Sequence, residues 1–389
     1  MRITAVEAFA IRLRAESAYL GPLPSGEQPP SRGYHVRPPW RSLYSDRFET
    51  VLVRLQAEDG TLGWGEALAP VGPEIVVDIV NLLLRSVLEG ASACEPRPVS
   101  ASLRELMRER GHLVGHQADA LAAVDIALWD LAGRVLGQPV TTLLGGRFRD
   151  RVPTYVSGLP RADDEGRARL AREWVQSGAT GVKLHAGHGV ATDLRTVDAV
   201  QAAAPELRIA VDAHWAYSVP EALELAAALE QRNAWFLEAP LAPEDLRGHA
   251  ELVSRCRIPI AVGEALRNRY EFAQWLQAGA LRIAQPDVAR TGITELMAIA
   301  EICSAHHVSV APHHSVGLSV SAAAGLAVSS AIENVLVFEY QPTSIDLGIA
   351  ALGTPLPIQP GHMTPPPGSG LGVAPDIDLV RRLAKDSRR

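Results

Sequence analysis

Short apolar runs that end in a charged or ligand-type residue recur through the second half of the chain. They are Gly181-Val-Lys-Leu-His185, Ile209-Ala-Val-Asp-Ala-His214, Trp235-Phe-Leu-Glu238, Ile260-Ala-Val-Gly-Glu264, Ile283-Ala-Gln-Pro-Asp287, Val308-Ser-Val-Ala-Pro-His313 and Val335-Leu-Val-Phe-Glu339. Each has the length of a buried strand and is rich in Val, Ile and Ala, without the alternation of a half-wet strand. Helix-like segments separate them, among them Pro220 to Gln231, Leu266 to Ala278 and Thr294 to Ala305. Glu238 to Glu264, Asp287 to His313 and His313 to Glu339 are each 26 residues apart, a period that suits one strand plus one helix. Polar residues always at the C-terminal end of the strand predict a parallel α/β barrel with its active site on that face.

The first part of the chain has a different pattern. Arg2 to Leu13 reads as a strand, and Thr50 to Gln56, Glu58-Asp-Gly60 and Thr61 to Ala67 read as a hairpin. Pro73 to Gly111 carries helical spacing. Ala118 to Leu136 is apolar nearly all round, as in a buried helix, and Gly137-Gln-Pro139 stops it. Val152 to Ser157 opens the barrel after Gly145-Gly146. Ala15 to Arg47 is a long Pro- and Gly-rich loop (Pro22, Pro24, Pro29, Pro30, Pro38, Pro39), which reads either as a lid or as a surface excursion. It carries Tyr34, His35, Arg37, Trp40, Arg41 and Tyr44, groups able to bind a polar substrate. The pattern divides into residues 1–125, an N-terminal α+β domain, residues 126–350, the barrel, and residues 351–389. This Pro- and Gly-rich tail is expected to fold back on the first domain rather than add to the barrel.

Composition narrows the classes. With 389 residues, 47% hydrophobic and 21% charged, the chain is an ordinary globular one, too long for one small core. A net charge of −7 gives no footing for nucleic-acid binding. Neither a signal pattern nor an uncharged apolar stretch long enough for a membrane span is present. Cys94, Cys256 and Cys303 are scattered, without metal or disulfide spacing, so a reduced, cytoplasmic setting is expected.

The strand ends carry the candidate chemistry. Asp212, Glu238 and Glu264 close three successive strands, whose ends lie about 5 Å apart in a barrel. Like charges brought that close repel unless a cation joins them, and an all-oxygen site with room for water and substrate suits Mg²⁺. Lys183 and His185, two apart on one strand, point into the barrel mouth, as lysine electrophile or base and histidine acid or base. His313 follows Asp287 by one strand, and the carboxylate could hold the imidazole tautomer. Alternation turns His314 away from that face.

Together with Ala127-Leu-Trp-Asp-Leu-Ala-Gly133 and Leu143-Leu-Gly-Gly146, this constellation resembles the enolase superfamily, and within it the mandelate racemase and muconate-lactonizing branch. The resemblance implies a modified TIM barrel, (β/α)₇β, under an α+β capping domain formed by the N-terminal region and the tail. It implies Mg²⁺ on Asp212, Glu238 and Glu264, chelating the carboxylate of a small-molecule substrate, with a homo-oligomer as the expected assembly. The reaction it implies is removal of the proton α to that carboxylate, through an enediolate. Asp287 and His313 match the dyad of the mandelate racemase subgroup. Glu339, expected to be protonated, matches the acid that hydrogen-bonds the substrate carboxylate. Where relatives usually carry Lys-x-Lys, this chain has Lys183-Leu-His185. His214, two positions past Asp212, resembles the general acid of members that dehydrate sugar acids; as a strand-end residue it should point the same way as Asp212. The favoured expectation is dehydration of an acid sugar, aldonate or aldarate, with His214 or His185 assisting departure of the hydroxyl. The alternative is a racemase, epimerase or lactone cycloisomerase. A non-catalytic binding protein is the third class, disfavoured by the complete set of acids and bases. Arg37, Arg41 and His35 would suit a second carboxylate, and Tyr34 and Tyr44 would suit hydroxyls.

Overall fold

The computed structural model describes residues 1–14, 20, 33–110 and 113–386. Much of the candidate lid, residues 15–19 and 21–32, including Pro22 to Pro30, lies outside the described residues. The first strand, β1 (Ile3–Leu13), is followed by a small hairpin, β2 (Tyr34–Val36) and β3 (Leu43–Ser45). A longer hairpin, β4 (Phe48–Ala57) and β5 (Leu62–Ala67), completes a three-stranded antiparallel sheet of order β1-β4-β5. Gly60, at φ 87°, supplies the left-handed residue that the tight turn requires. β4 is buried on both faces, and its alternation sorts its side chains between two cores. Val51, Val53 and Leu55 join the capping core, whereas Phe48 and Leu52 join the barrel core.

Helices cover the capping core: α1 (Pro73–Asp78), a π-helical turn (Ile79–Leu84), α2 (Arg85–Leu88), α3 (Pro96–Arg108) and α4 (Gly115–Val135). α4 belongs to both cores. It gives Val124, Leu128 and Leu131 to the cap and Ile126 and Trp129 to the barrel. Gly65 on β5 lets it lie close, because a Cβ there would run into the Ala123 carbonyl. The boundary at residue 125/126 therefore falls inside one continuous helix, since the apolar pattern of a helix buried on two sides does not change where its partner does. Asp125 accepts from the Thr294 amide (2.8 Å) and hydroxyl (2.6 Å), and Asp130 accepts from the amides of Trp64 (2.8 Å) and Leu371 (2.7 Å).

After α5 (Val140–Leu143) the barrel runs as strand–helix units: β6 (Val152–Ser157), α6 (Asp164–Gln176), β7 (Gly181–His185), α7 (Val190–Ala203), β8 (Arg208–Asp212) and α8 (Val219–Gln231). The next units are β9 (Leu237–Glu238), α9 (Leu246–Arg255), β10 (Ile260–Val262), α10 (Arg269–Gln277), β11 (Ile283–Ala284) and α11 (Val288–Ala305). Then come β12 (Ser309–Val310), α12 (Ser319–Ala331) and β13 (Phe338–Tyr340), which pairs in parallel with β6 and closes a (β/α)₇β barrel. Tyr155, Ala210, Phe236, Ala261, Ile283, Ala311 and Val337 pack together as the filling of the lumen. Glu66 ties cap to barrel. It accepts from the Thr50 hydroxyl (2.9 Å) and from the amides of Leu318 (2.6 Å) and Ser321 (2.8 Å), at the start of α12.

α13 (Pro342–Leu352) leads into the tail, which contains β14 (Ile358–Gln359), β15 (His362–Met363) and α14 (Ile377–Asp386). The tail does return to the cap, where α14 lies on β1 and Arg381 reaches Glu7 (3.4 Å). It also adds to the barrel sheet, contrary to expectation, because β15 pairs antiparallel with Val152–Pro153 of β6. A two-residue strand carries no alternation that a sequence pattern could register. None of the helices described is long and apolar enough to cross a membrane.

Candidate active site

The barrel register brings the strand ends together. His185 pairs with Asp212, Asp212 with Glu238, and Asp287 bridges to His313. His185, Asp212 and His313 line a cavity of about 410 Å³ together with Ser157, Lys183, His214, Glu264, Arg290 and Glu339. Lys183 lies at its centre. Its Nζ is 2.7 Å from Glu238 Oε1, 2.8 Å from Glu339 Oε1 and 3.8 Å from Asp212 Oδ2. Burial opposes the ammonium charge, but these carboxylates outweigh it and hold the pKa well above the ordinary lysine value.

His313 is held at both ring nitrogens. Nδ1 is 2.8 Å from Asp287 Oδ2 and Nε2 is 2.7 Å from Glu264 Oε2. Burial lowers its pKa, yet Glu264, Glu339 and Asp287 raise it further, so the ring carries a proton in this arrangement. The other oxygen of Asp287 caps α11 through the Ala289 amide (2.8 Å). His314 is structural, its Nε2 facing the Gly317 carbonyl at 2.9 Å.

Glu339, without substrate beside it, is held as a carboxylate. Burial would raise it, but Lys183 and His313, with hydrogen bonds from Lys183 and Ser157 (2.6 Å), hold it at about 2. Glu238 goes the other way. Burial pushes it up to about 8, with Asp212 and Glu339 adding to the effect and Lys183 opposing it.

Two groups among the described residues have donor atoms close enough to share a cation: His185, Asp212 and His214, and Glu238, Glu264 and His313. The three carboxylates expected to act together are thus divided between neighbouring clusters that meet at the Asp212–Glu238 pair. His214 reaches the cavity by a route other than strand alternation. β8 ends at Asp212, and His214 and Trp215 take left-handed conformations (φ 47° and 56°). This turn places His214 Nδ1 3.4 Å from Asp212 Oδ1 and its ring edge-on to His185 at 5.2 Å. Burial lowers the pKa of His214, against the pull of Asp212.

Of the loop residues, His35, Arg37 and Tyr44 line the cavity. Tyr34, Trp40 and Arg41 do not. Tyr34 is turned to the cap, donating to Glu49 (2.8 Å) and accepting from the Gly72 amide (3.0 Å). Trp40 is a buried wedge whose Nε1 donates to the Ala186 carbonyl (2.8 Å) and whose ring stacks on His214 at 4.6 Å. Arg41 is exposed. Sequence reasoning passed over Ser157, Gln285 and Arg290. Gln285 donates to Glu238 Oε2 (2.6 Å) and stood in plain sight two positions before Asp287. Ser157 ends β6 without a charged or histidine residue to mark the run, so only its order in the chain could have marked it.

Comparison with known proteins agrees with this geometry. Residues 166–379 match the family "Enolase C-terminal domain-like", and residues 42–145 match "Mandelate racemase / muconate lactonizing enzyme, N-terminal domain". The chain is similar to a D-galactarolactone cycloisomerase of Agrobacterium fabrum, 34% identical over 87% of this chain and 92% of the relative. It is also similar to a D-galactonate dehydratase of Ralstonia nicotianae, 32% identical over 89% and 91%. A crystal structure of an enolase-superfamily member from Agrobacterium tumefaciens superposes with a TM-score of 0.93 at 34% identity, covering 98% of both chains. A racemase structure from Streptomyces coelicolor with bound magnesium superposes with a TM-score of 0.84 at 25% identity, covering 98% of this chain and 99% of that one.

Proposed function

This chain belongs to the enolase superfamily, in its mandelate racemase and muconate-lactonizing branch, and from that premise we propose that it is an acid sugar dehydratase. It would remove the proton α to the substrate carboxylate and expel a β-hydroxyl as water, leaving an enol that tautomerises to a 2-keto-3-deoxy acid. The observation that carries this reading is the Asp287–His313 dyad and Lys183 on either side of Glu339, with His313 Nε2 3.9 Å from Oε2 and Lys183 Nζ 2.8 Å from Oε1.

Asp212, Glu238 and Glu264 would hold Mg²⁺. The donor set supports it: two buried carboxylates and a partly buried one, carried by neighbouring strands, with Glu238 pushed up to about 8 by burial and by two acids beside it, a crowding that a cation relieves. When bound, the ion supplies Lewis-acid stabilisation of the charge that builds on the substrate carboxylate. His313 takes the α-proton at Nε2 while Asp287 keeps the other ring proton on Nδ1. With the charge of Glu264 compensated, the pull that keeps His313 protonated is weaker and its Nε2 is released for this work. Lys183, three donors on a buried cation, faces the developing negative charge. A substrate carboxylate beside Glu339 adds a like charge and raises it, the direction needed for Glu339 to donate a hydrogen bond. His214 or His185 would supply the proton that hydroxide needs in order to leave, and the lowered pKa that burial gives His214 makes its protonated form the stronger donor.

Isomerisation without loss of water has support of its own. His185 places a second imidazole in the cavity that holds His313, and one relative is named a cycloisomerase. Ile75, Leu82, Leu83 and Val87, exposed on the helical run before residue 89, favour a homo-oligomer, which sedimentation would measure.

The test offers aldonates, aldarates and their lactones in D₂O to chelated and to Mg²⁺-loaded protein. Magnesium-dependent α-proton exchange with release of a keto acid is the expected result. Undiminished activity without a divalent ion, or exchange that survives His313→Asn, would sink the reading. Exchange or cyclisation with no keto acid from any substrate would replace dehydration with isomerisation.

A further inference from the structure

His214 and Trp215 are consecutive left-handed residues, at φ 47° and 56°, and neither is a glycine. Such backbone is strained and persists only where its surroundings over-determine it. The His214 amide donates to Asp212 Oδ1 (3.0 Å), and the Trp215 amide donates to the Ala239 carbonyl (2.7 Å). A further hold comes from the preceding strand–helix unit. Asp193, buried in the first turn of α7, accepts at Oδ2 from the Gly187 amide (2.8 Å) and from the Tyr217 hydroxyl. Its Oδ1 accepts from the His188 amide (3.1 Å). Gly187 and His188 belong to the turn that leaves β7 just after His185, and Tyr217 belongs to the turn that leaves β8, three residues after His214. One carboxylate therefore fastens together the two turns whose histidines are the candidate acids. The joint is tight. Gly187 is at φ 96°, and a Cβ there would stand 2.9 Å from the Ala213 carbonyl oxygen and 3.1 Å from Trp40 Nε1. Trp40 closes the other side, its ring stacked on His214 at 4.6 Å and edge-on to His188 at 5.3 Å.

We propose that Asp193 is a positioning residue for the acid step, holding the left-handed turn through Tyr217 so that the His214 ring stays 5.2 Å from His185 in the reaction cavity. This rests on the functional reading above, in which one of these imidazoles protonates the departing hydroxyl. Asp193 does not line the cavity that holds Lys183 and His313. It lines a neighbouring one of about 350 Å³, with Thr192 and Thr196, that shares His185 with the first. It therefore reaches the chemistry only through other residues. A buried carboxylate is costly unless its oxygens are met, and here the donors that meet them are the two turns themselves. The base is supported separately. His313 is held by Asp287 at 2.8 Å and Glu264 at 2.7 Å, and neither residue touches the Asp193 joint. Loosening the joint should then impair expulsion of the hydroxyl and spare removal of the α-proton.

The test uses Asp193→Asn, which sets an N–H donor against one of the three donors, and Tyr217→Phe, which cuts only the link to the β8 turn. Keto-acid release and α-proton exchange in D₂O are read on one Mg²⁺-loaded sample, with whichever aldonate or aldarate the unaltered enzyme converts. Release should fall by about tenfold or more in Asp193→Asn, with exchange within about threefold, and Tyr217→Phe should shift the ratio in the same sense. A crystal structure of each variant should show His214 out of its left-handed conformation and its ring further from His185. A merely structural role would lower both rates alike. An unchanged ratio of release to exchange in folded protein, or a His214 that keeps its backbone and its distance to His185, overturns the inference and leaves the dehydratase reading standing. Should Asp193→Asn fail to fold, Tyr217→Phe decides by the same two readouts. Absence of a keto acid from every aldonate and aldarate sinks the dehydratase reading instead, and the position of His214 in the variant crystals still decides this one.

Discussion

Replacing Asp287 by asparagine should disable His313 without unfolding the site around it. Asp287 Oδ1 accepts from the Ala289 amide at 2.8 Å, a cap that the asparagine oxygen can keep. The substituted amide nitrogen would then stand where Oδ2 stood, 2.8 Å from His313 Nδ1. Two donors cannot share that hydrogen bond, so Nδ1 must accept and the ring proton moves to Nε2. There it meets Glu264 Oε2 at 2.7 Å, which stabilises the wrong tautomer further. A ring whose Nε2 carries hydrogen cannot take the substrate proton. A hydrogen bond to a charged partner is worth about 1.5–3 kcal/mol, and with the tautomer reversed the whole general-base contribution is at risk, about 10²–10⁴ in rate. The assay is α-proton exchange in D₂O followed by NMR, with melting temperature and Mg²⁺ affinity as controls. The pH profile adds an independent check. Asp287 helps to raise His313, and a base works only when neutral, so activity rises as pH climbs through that pKa. With the carboxylate gone, the acid limb should move to lower pH while the plateau falls. An Asp287→Asn enzyme that exchanges within about threefold of wild type, folded and metal-bound, would refute the assignment of His313 as the base.

Three further outcomes are expected. His214→Asn should lower keto-acid release by about 10²–10⁴ while α-proton exchange continues, seen by running both assays on one sample; unimpaired release would move the acid role to His185. Glu66→Gln leaves one of the Leu318 and Ser321 amides without its acceptor, so chemical denaturation should register a loss of about 1–3 kcal/mol, and no loss would mean the staple is dispensable. Gly65→Ala drives a methyl into the Ala123 carbonyl and should cost about 1–3 kcal/mol or more, measured by the same unfolding curve.

What could be read from the sequence was what repeats. Asp212, Glu238, Glu264, Asp287, His313 and Glu339 were visible because each ends an apolar run, at steps of 26 residues except for 23 between Glu264 and Asp287, and the dyad followed from two of them on neighbouring strands. His214 was found for the wrong reason: its direction is set by two left-handed residues that alternation does not describe. The β2–β3 hairpin stayed hidden in a proline-rich stretch, because three-residue strands exist only through the partner they pair with. For the same reason the pairing of β15 with β6 had no signature. The charge on Glu339 could not be read at all, because it depends on Lys183, His313 and Ser157 arriving together, a property of the fold and not of the residue.

Because α4 serves two cores, the order in which the chain is made matters to it. Its cap partners, β4 and β5, leave the ribosome before it does, and the helix can seat one side at once. Its other partners come much later. Asp125 waits 169 residues for Thr294, and Asp130 waits 241 for the Leu371 amide. At ordinary translation speeds the second wait lasts roughly 10–50 s. Until α11 arrives with Thr294, which bonds both Asp125 and the Trp129 indole, the barrel side of α4 lacks that cover, and the half-finished chain exposes apolar surface of the kind chaperones bind.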